Sequence, residues 1–199
     1  MGKVLILVPA AGTSSRMGGR DKLLEPVEGE ALLRRQLRAA LATHAPVLVT
    51  LPRHAGGPRA EMLEGLQGFR ATYVDGAEGM AASLRAGAQA ARAAGAAGLM
   101  VLLPDMPEIV TADIALMLRQ FDEAPDTALR ATAETGEAGH PVIFPARCFD
   151  ALVAVTGDTG GRAVLAGETV RACPLPGRRA VTDLDTPEDW AGWRARTGY

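Results

Sequence analysis

At 199 residues, with 48% hydrophobic and 22% charged side chains, the chain is long enough to bury a sizeable core and has an ordinary globular composition. A net charge of −2 implies no broad basic surface, which argues against nucleic acid as a partner. The two cysteines, Cys148 and Cys173, have no metal-ligand spacing and read as small buried side chains in a reducing compartment, and the longest apolar stretch, Ala93–Leu103, is broken by Gly95 and Gly98 and cannot span a bilayer.

Val4–Val8 is an apolar run bounded by turn formers, which predicts a strand buried on both faces. Met1–Val8 is too short for a signal peptide and no cleavage pattern follows, so the expected location is the cytoplasm. Glu30–Ala42 carries Ala31, Leu32, Leu33, Leu37 and Leu41 at helical spacing. Pro46–Leu51 reads as a strand, Pro58–Leu66 as a short helix stopped by Gly68, and Phe69–Val74 as a strand ending at Asp75-Gly76. Met80–Ala94 is helical and Gly98–Leu103 a buried strand. Thr111–Phe121 is helical, with Thr111 as a candidate cap and Asp113 in the first turn. This repeated strand–helix order predicts a mostly parallel sheet with helices on both faces, in one domain over residues 1–199. Beyond it the alternation weakens. Thr127–Ala133 and Pro141–Phe144 read as short strands around a loop at Thr135–His140. Arg147–Val155 and Thr159–Leu165 read as short helices, Thr169–Pro174 and Ala180–Asp183 as late strands, and Pro187–Arg196 as a last helix.

The loop after the first strand, Pro9 to Ser15, is built of small and turn-forming residues. Such backbone can approach a phosphate closely. Two cations follow, Arg16 and Lys22, and strand, loop and cations together make a polyphosphate site. Neither G-x-G-x-x-G nor G-x-x-x-x-G-K-[ST] is present, so the dinucleotide fingerprint and the P-loop do not apply. In open α/β sheets ligands bind beyond the carboxyl ends of strands. Asp105 and Asp185 both follow predicted strands, and two converging carboxylates beside a triphosphate would suit Mg²⁺. Asp105, between two prolines, also suits a turn; Asp185 or Thr186 before Pro187 also suits a helix N-cap. Asp183 competes with Asp185 for the metal. Met17 is expected to pack under the loop, and Trp190 and Trp193 to anchor the last helix. His44 and His54 have no assigned role.

The word AAGTSSRMGGRDKLL at 10–24 resembles the signature of nucleotidyltransferases with the nucleotide-diphospho-sugar transferase fold, a Rossmann-like three-layer α/β/α architecture. The nearest branch is that of the molybdenum cofactor guanylyl- and cytidylyltransferases, and more narrowly the molybdopterin cytidylyltransferases. The resemblance continues through EGMAASLRAG at 78–87, PDMP at 104–107, GHPVIF at 139–144 and TDLDTPEDW at 182–190. It implies nucleotide contacts from Ala10, Ala11, Gly12, Thr13, Ser14, Arg16, Lys22, Asp75, Gly79, Ser83 and Asp105, with Arg16, Lys22 and Asp105 catalytic. It also implies metal binding by Asp105 and Asp185 and acceptor binding around Gly139, His140 and Pro141; Arg162, beside a glycine-rich helix start, is a further candidate for an acceptor phosphate. Ala10-Ala11-Gly12 looks cytidylyl-like, whereas GGRDK looks guanylyl-like. The absence of an H-D-A-A-R-P-like segment argues against the methylerythritol phosphate enzymes. The expected reaction joins CTP to a molybdopterin phosphate with release of pyrophosphate and transient contact with a molybdoenzyme or its chaperone. The alternatives are GTP, a sugar or alcohol phosphate acceptor, or a non-catalytic chaperone for the cofactor.

Overall fold

The computed structural model describes residues 3–53, 57–157 and 160–199. Its framework is a seven-stranded sheet. The strands are β1 (Val4–Pro9), β4 (Val47–Pro52), β5 (Phe69–Val74), β6 (Gly98–Val101), β7 (Ala128–Thr132), β8 (Ala138–Pro145) and β9 (Val170–Pro174). Their order is β5-β4-β1-β6-β8-β7-β9. The first four run parallel; β8 is antiparallel to both β6 and β7, and β9 returns parallel to β7.

All six residues of β1 are buried because the strand has helices on both sides. Val4, Ile6 and Val8 share one core with Leu33 and Leu37 of α1 (Leu32–Leu41) and Ile114 and Met117 of α4 (Thr111–Glu123). Leu5 and Leu7 share the other with Leu84 and Ala88 of α3 (Met80–Ala93) and Leu152 of α5 (Phe149–Val153). Alternate side chains of a strand face opposite sides, so one apolar run serves two layers. The chain builds outward from β1 through β4 to β5, then returns to lay β6 on the other side of β1. That reversal opens a crevice at their carboxyl ends.

Several expected elements differ. The helix expected from Glu30 starts at Leu32, because Glu30–Ala31 forms β3 and pairs with β2 (Pro26–Val27). The intervening Glu28 and Gly29 have φ of 53° and 81°, the pair of positive values that a tight hairpin turn requires. The helix expected over Pro58–Leu66 is one turn, α2 (Pro58–Glu61). Thr111 does not cap α4; the Asp113 carboxylate accepts the Val110 N–H at 3.1 Å, and the Thr111 hydroxyl donates to Ala39. The expected loop at Thr135–His140 is shorter, since β8 begins at Ala138. The strand expected at Ala180–Asp183 is instead a 3₁₀ turn, Arg179–Val181. Gly139 of β8 lies directly under the Ala180 carbonyl, where a Cβ would collide, and the Leu184 N–H goes to the Asp105 carbonyl at 3.0 Å rather than into a ladder. The helix expected over Thr159–Leu165 is α6 (Gly160–Ala166) in the described residues; His54, Asp158 and Thr159 lie outside them. The last helix is α7 (Pro187–Thr197). No helix among the described residues is long and apolar enough to cross a membrane.

Candidate active site

The loop after β1 is held from two sides. At its far end Met17, in the 3₁₀ turn Ser15–Met17, is buried against Val27, Leu32, Leu184, Trp190 and Trp193. At its near end the Arg59 guanidinium, from α2, donates to the carbonyls of Ala10 and Gly12, both at 2.7 Å. It also pairs with Asp21 at 2.7 and 2.9 Å. Burial of Asp21 favours its neutral form, but Arg59, the Leu23 N–H and Ser14 outweigh that and hold the carboxyl below its usual range. Ser14 joins the two ends: its hydroxyl donates to Asp21 at 3.0 Å and accepts the Lys22 N–H at 3.1 Å.

This bracing delivers Lys22. Its Nζ lies 2.5 Å from Asp105 Oδ2 and 2.5 Å from Asp185 Oδ1. Arg16, on the exposed side of the turn, reaches Asp185 Oδ2 at 2.9 Å. Burial alone would lower the Lys22 pKa; the two carboxylates outweigh this and raise it. Asp105 stands just beyond β6, on a loop pinned from below by buried Gln36, which donates to the carbonyls of Met106 and Ile109. Asp185 is brought in by α7, whose Trp193 and Arg196 both donate to Glu108 of the Asp105 loop. The N-cap role falls to Thr186, whose hydroxyl accepts the Asp189 N–H at 3.1 Å while Asp189 accepts the Thr186 N–H at 2.8 Å. Asp185 is therefore free to face Lys22. Asp183 lies at the surface and does not bond Lys22; partial desolvation of its carboxyl beside the trough, with the charges of Asp105 and Asp185, raises its pKa.

Three cavities follow one another along this edge of the sheet. The central one, about 110 Å³, is lined by Pro9, Gly12, Thr13, Lys22, Gly79 and Asp105 among others. It shares Gly12, Thr13 and Arg59 with a larger cavity of about 490 Å³ that includes Ala11, Arg53, Tyr73 and Asp75. On its other side it shares Met80 and Leu103 with a cavity of about 240 Å³ that includes Arg130, His140 and Arg162. Lys22 and Asp105 stand in the middle of this trough, and each end offers a separate chamber.

The remaining expected residues distribute themselves along the trough. Gly79 sits at the start of α3 with φ 60° and ψ −143°, a conformation that suits glycine. Ser83 lines the central cavity and accepts a bond from the buried Thr50 hydroxyl at 2.8 Å. The Asp75 carboxylate lies in the large chamber, capping a turn through the Ala77 N–H at 3.0 Å. Beside it Gly76 passes so close to the loop that a Cβ would lie 2.5 Å from the Ala11 carbonyl oxygen. His140 and Arg162 line the third chamber together. Gly139 and Pro141 line none of the three; Gly139 packs on Ala180, and Pro141 follows a cis peptide bond in β8. Burial, with the Arg130 charge, pushes the His140 imidazole down to about 4, so it is neutral near pH 7. Arg59 and Gln36 were not expected here. Gln36 bonds only backbone carbonyls, and Arg59 adds Asp21 and Ser14 at 38 and 45 positions' separation, so neither leaves a motif.

Two carboxylates, a lysine, an arginine and a backbone loop at a switch point equip the trough to hold a polyphosphate and to stabilise charge moving along it. The MobA-like NTP transferase domain family matches residues 6–173. The purine catabolism protein PucB of Bacillus subtilis is 27% identical, over 91% of each chain. A probable molybdenum cofactor guanylyltransferase of Synechococcus elongatus is 28% identical, over 90% of this chain and 93% of that protein. Among solved structures, the Rv0371C complex with manganese from Mycobacterium tuberculosis superposes with a TM-score of 0.76 at 26% identity, covering 96% of this chain and 97% of the other. A nucleotidyl transferase from Methanothermobacter does so at 0.75 and 22% identity, covering 98% and 97%. A CMP-2-keto-3-deoxy-manno-octonic acid synthetase complexed with CTP does so at 0.72 and 16% identity, covering 98% of each chain. The architecture is that of the nucleotide-diphospho-sugar transferase fold.

Proposed function

This chain belongs to the MobA-like NTP transferase domain family, and from that footing we propose that its residues 1–199 act as one nucleotidyltransferase domain that joins CTP to a phosphorylated molybdopterin. The observation that carries the reading is Lys22 bridging Asp105 and Asp185 at 2.5 Å each, opposite the braced loop. An acceptor phosphate oxygen attacks the α-phosphorus of the triphosphate, the bond to the β-phosphate oxygen breaks, and pyrophosphate leaves. A phosphate nucleophile is already ionised near neutral pH, so the site needs positioning and charge stabilisation rather than a strong base. Ala11–Ser14 offer backbone N–H groups to the phosphates. Lys22, held charged by its carboxylates, and Arg16 at the rim stabilise the charge that accumulates on the leaving group.

The donor set fits a hard divalent cation such as Mg²⁺. Asp105 keeps Oδ1 buried without a partner among the described residues, and Asp185, which shares Lys22 with it, offers a second carboxylate; phosphate and water oxygens complete such a shell. When bound, the ion supplies Lewis-acid neutralisation of phosphate charge. Asp105 and Asp185 would hold it, and Lys22 then turns its donors to the phosphates.

The three chambers divide the work. The large one at Asp75 takes base and ribose, with Gly79 and Ser83 close by. The one at His140 and Arg162 takes the acceptor, and its walls favour a flat ring over a sugar. Met80, Leu84, Val101, Leu103, Val142 and Phe144 offer apolar surface for such a ring, and Arg130, His140 and Arg162 supply the polar groups of the same chamber. GTP is the second reading, favoured by the Synechococcus relative named a guanylyltransferase, because a carboxylate such as Asp75 pairs with amino donors of either base. The product would pass to a molybdoenzyme or its chaperone by transient contact in the cytoplasm. The test is pyrophosphate release with Mg²⁺ across CTP, GTP, ATP and UTP, with molybdopterin or a sugar phosphate as acceptor. Release with CTP and molybdopterin is expected. Release with GTP alone replaces the base assignment, and no release with any pair replaces the enzyme with a carrier.

A further inference from the structure

We propose that Arg59 is a positioning residue of the phosphate loop: it sets the peptide orientations of residues 10–14 from behind, and triphosphate affinity depends on it although its charge is cancelled inside the protein. The side chain is 9% exposed. Its Nη1 reaches the Ala10 and Gly12 carbonyls, its Nε and Nη2 form a two-pronged pair with Asp21, and Nη2 also reaches the Ser14 hydroxyl at 3.3 Å. Only a planar fork of several N–H groups can hold so many acceptors at once; a lysine ammonium cannot.

Peptide units are planar with N–H and C=O opposed, so fixing the carbonyls of Ala10 and Gly12 also fixes the N–H directions of Ala11 and Thr13. Those are donors of the loop that faces Lys22. Through Ser14, which accepts from Arg59 and from the Lys22 N–H, the same guanidinium also anchors the start of the lysine. Because Asp21 neutralises it, Arg59 adds no net charge to the trough. Its effect on phosphate is exerted through loop geometry. With Gly12 and Thr13 it also lines both the central and the large cavities. No spacing in the sequence marks it, since the loop carbonyls lie 49 and 47 positions away.

Only the consequence for triphosphate rests on the proposed function; the hold on the loop does not. The test therefore has two readouts, on the parent, Arg59→Met and Arg59→Lys. The first is amide hydrogen exchange without ligand. The second is titration with inorganic tripolyphosphate and Mg²⁺. Exchange at Ala11–Ser14 is expected to quicken about tenfold or more in Arg59→Met while β6 and α4 keep their protection. The tripolyphosphate Kd is expected to rise by about tenfold or more. Arg59→Lys, which keeps the charge and not the fork, is expected to recover less than half of either loss; it also keeps the test readable should Arg59→Met not fold. Loop exchange within about twofold of the parent overturns the proposal, and so does faster exchange with unchanged affinity. A parent that binds no tripolyphosphate counts against the nucleotide reading, and the exchange result still decides Arg59.

Discussion

Lys22 holds together two carboxylates that would otherwise repel each other. Replacing it with alanine is expected to cut turnover by about two to three orders of magnitude, as for loss of one charge-stabilising donor. Circular dichroism should report an intact fold; turnover like the parent's would remove Lys22 from the chemistry. His140 has the opposite problem, a base kept uncharged. Its pKa is about 4 in the fold because of burial and Arg130, against an ordinary value near 6.5 in the unfolded chain. Between about pH 6.5 and about 4 the unfolded state binds the extra proton, so stability falls as pH falls through that window. The full loss is about 3 kcal/mol. Denaturant titrations should show a shallower decline for His140→Gln; parallel declines would mean that another group governs acid sensitivity. At this scale the words GGRDK, PDMP and TDLDTPEDW pointed to Lys22, Asp105 and Asp185, and the fold brings these three side chains together. Arg59 was not legible, because its partners, two loop carbonyls, Asp21 and Ser14, lie 38 to 49 positions away.

The elements that were legible are those whose own residues fix them. The apolar runs of β1, β4 and β6 and the helical periodicity of α1 and α3 name their structure directly. The 3₁₀ turn at Arg179–Val181 was misread as a strand because its fate is set by packing on Gly139 and by the Asp105 carbonyl, neither of which lies nearby in sequence. The short β2–β3 hairpin escaped notice because Glu28, not the usual asparagine or glycine, takes the first positive φ. At the start of α7 local rules permitted either Asp185 or Thr186 as cap, and the structure divides the roles. Thr186→Ala is therefore expected to cost about 1 kcal/mol of stability and to leave turnover nearly unchanged. Asp185→Asn should keep the stability and lose Mg²⁺-dependent activity. Thermal melts beside pyrophosphate assays read both, and the reverse pattern would return Asp185 to a capping role.

At the scale of the molecule, the chain's reversal between β5 and β6 opens the crevice, and the irregular second half furnishes one end of it. The acidic site is assembled from both ends of the chain. The cluster of Met17, Leu184, Trp190 and Trp193 ties the cationic turn to α7, and Glu108 ties α7 to the Asp105 loop. That is why residues 163 positions apart, Lys22 and Asp185, meet. The balance of charge in the trough predicts that a divalent ion binds with the triphosphate rather than before it, since Lys22 already occupies the carboxylates. Manganese titration followed by electron paramagnetic resonance, with and without CTP, tests this most directly. The account predicts about one tightly held ion per chain only when CTP is present, and loss of that ion in the Asp105→Asn/Asp185→Asn double variant. Equal ion binding by the variant and the parent would contradict it.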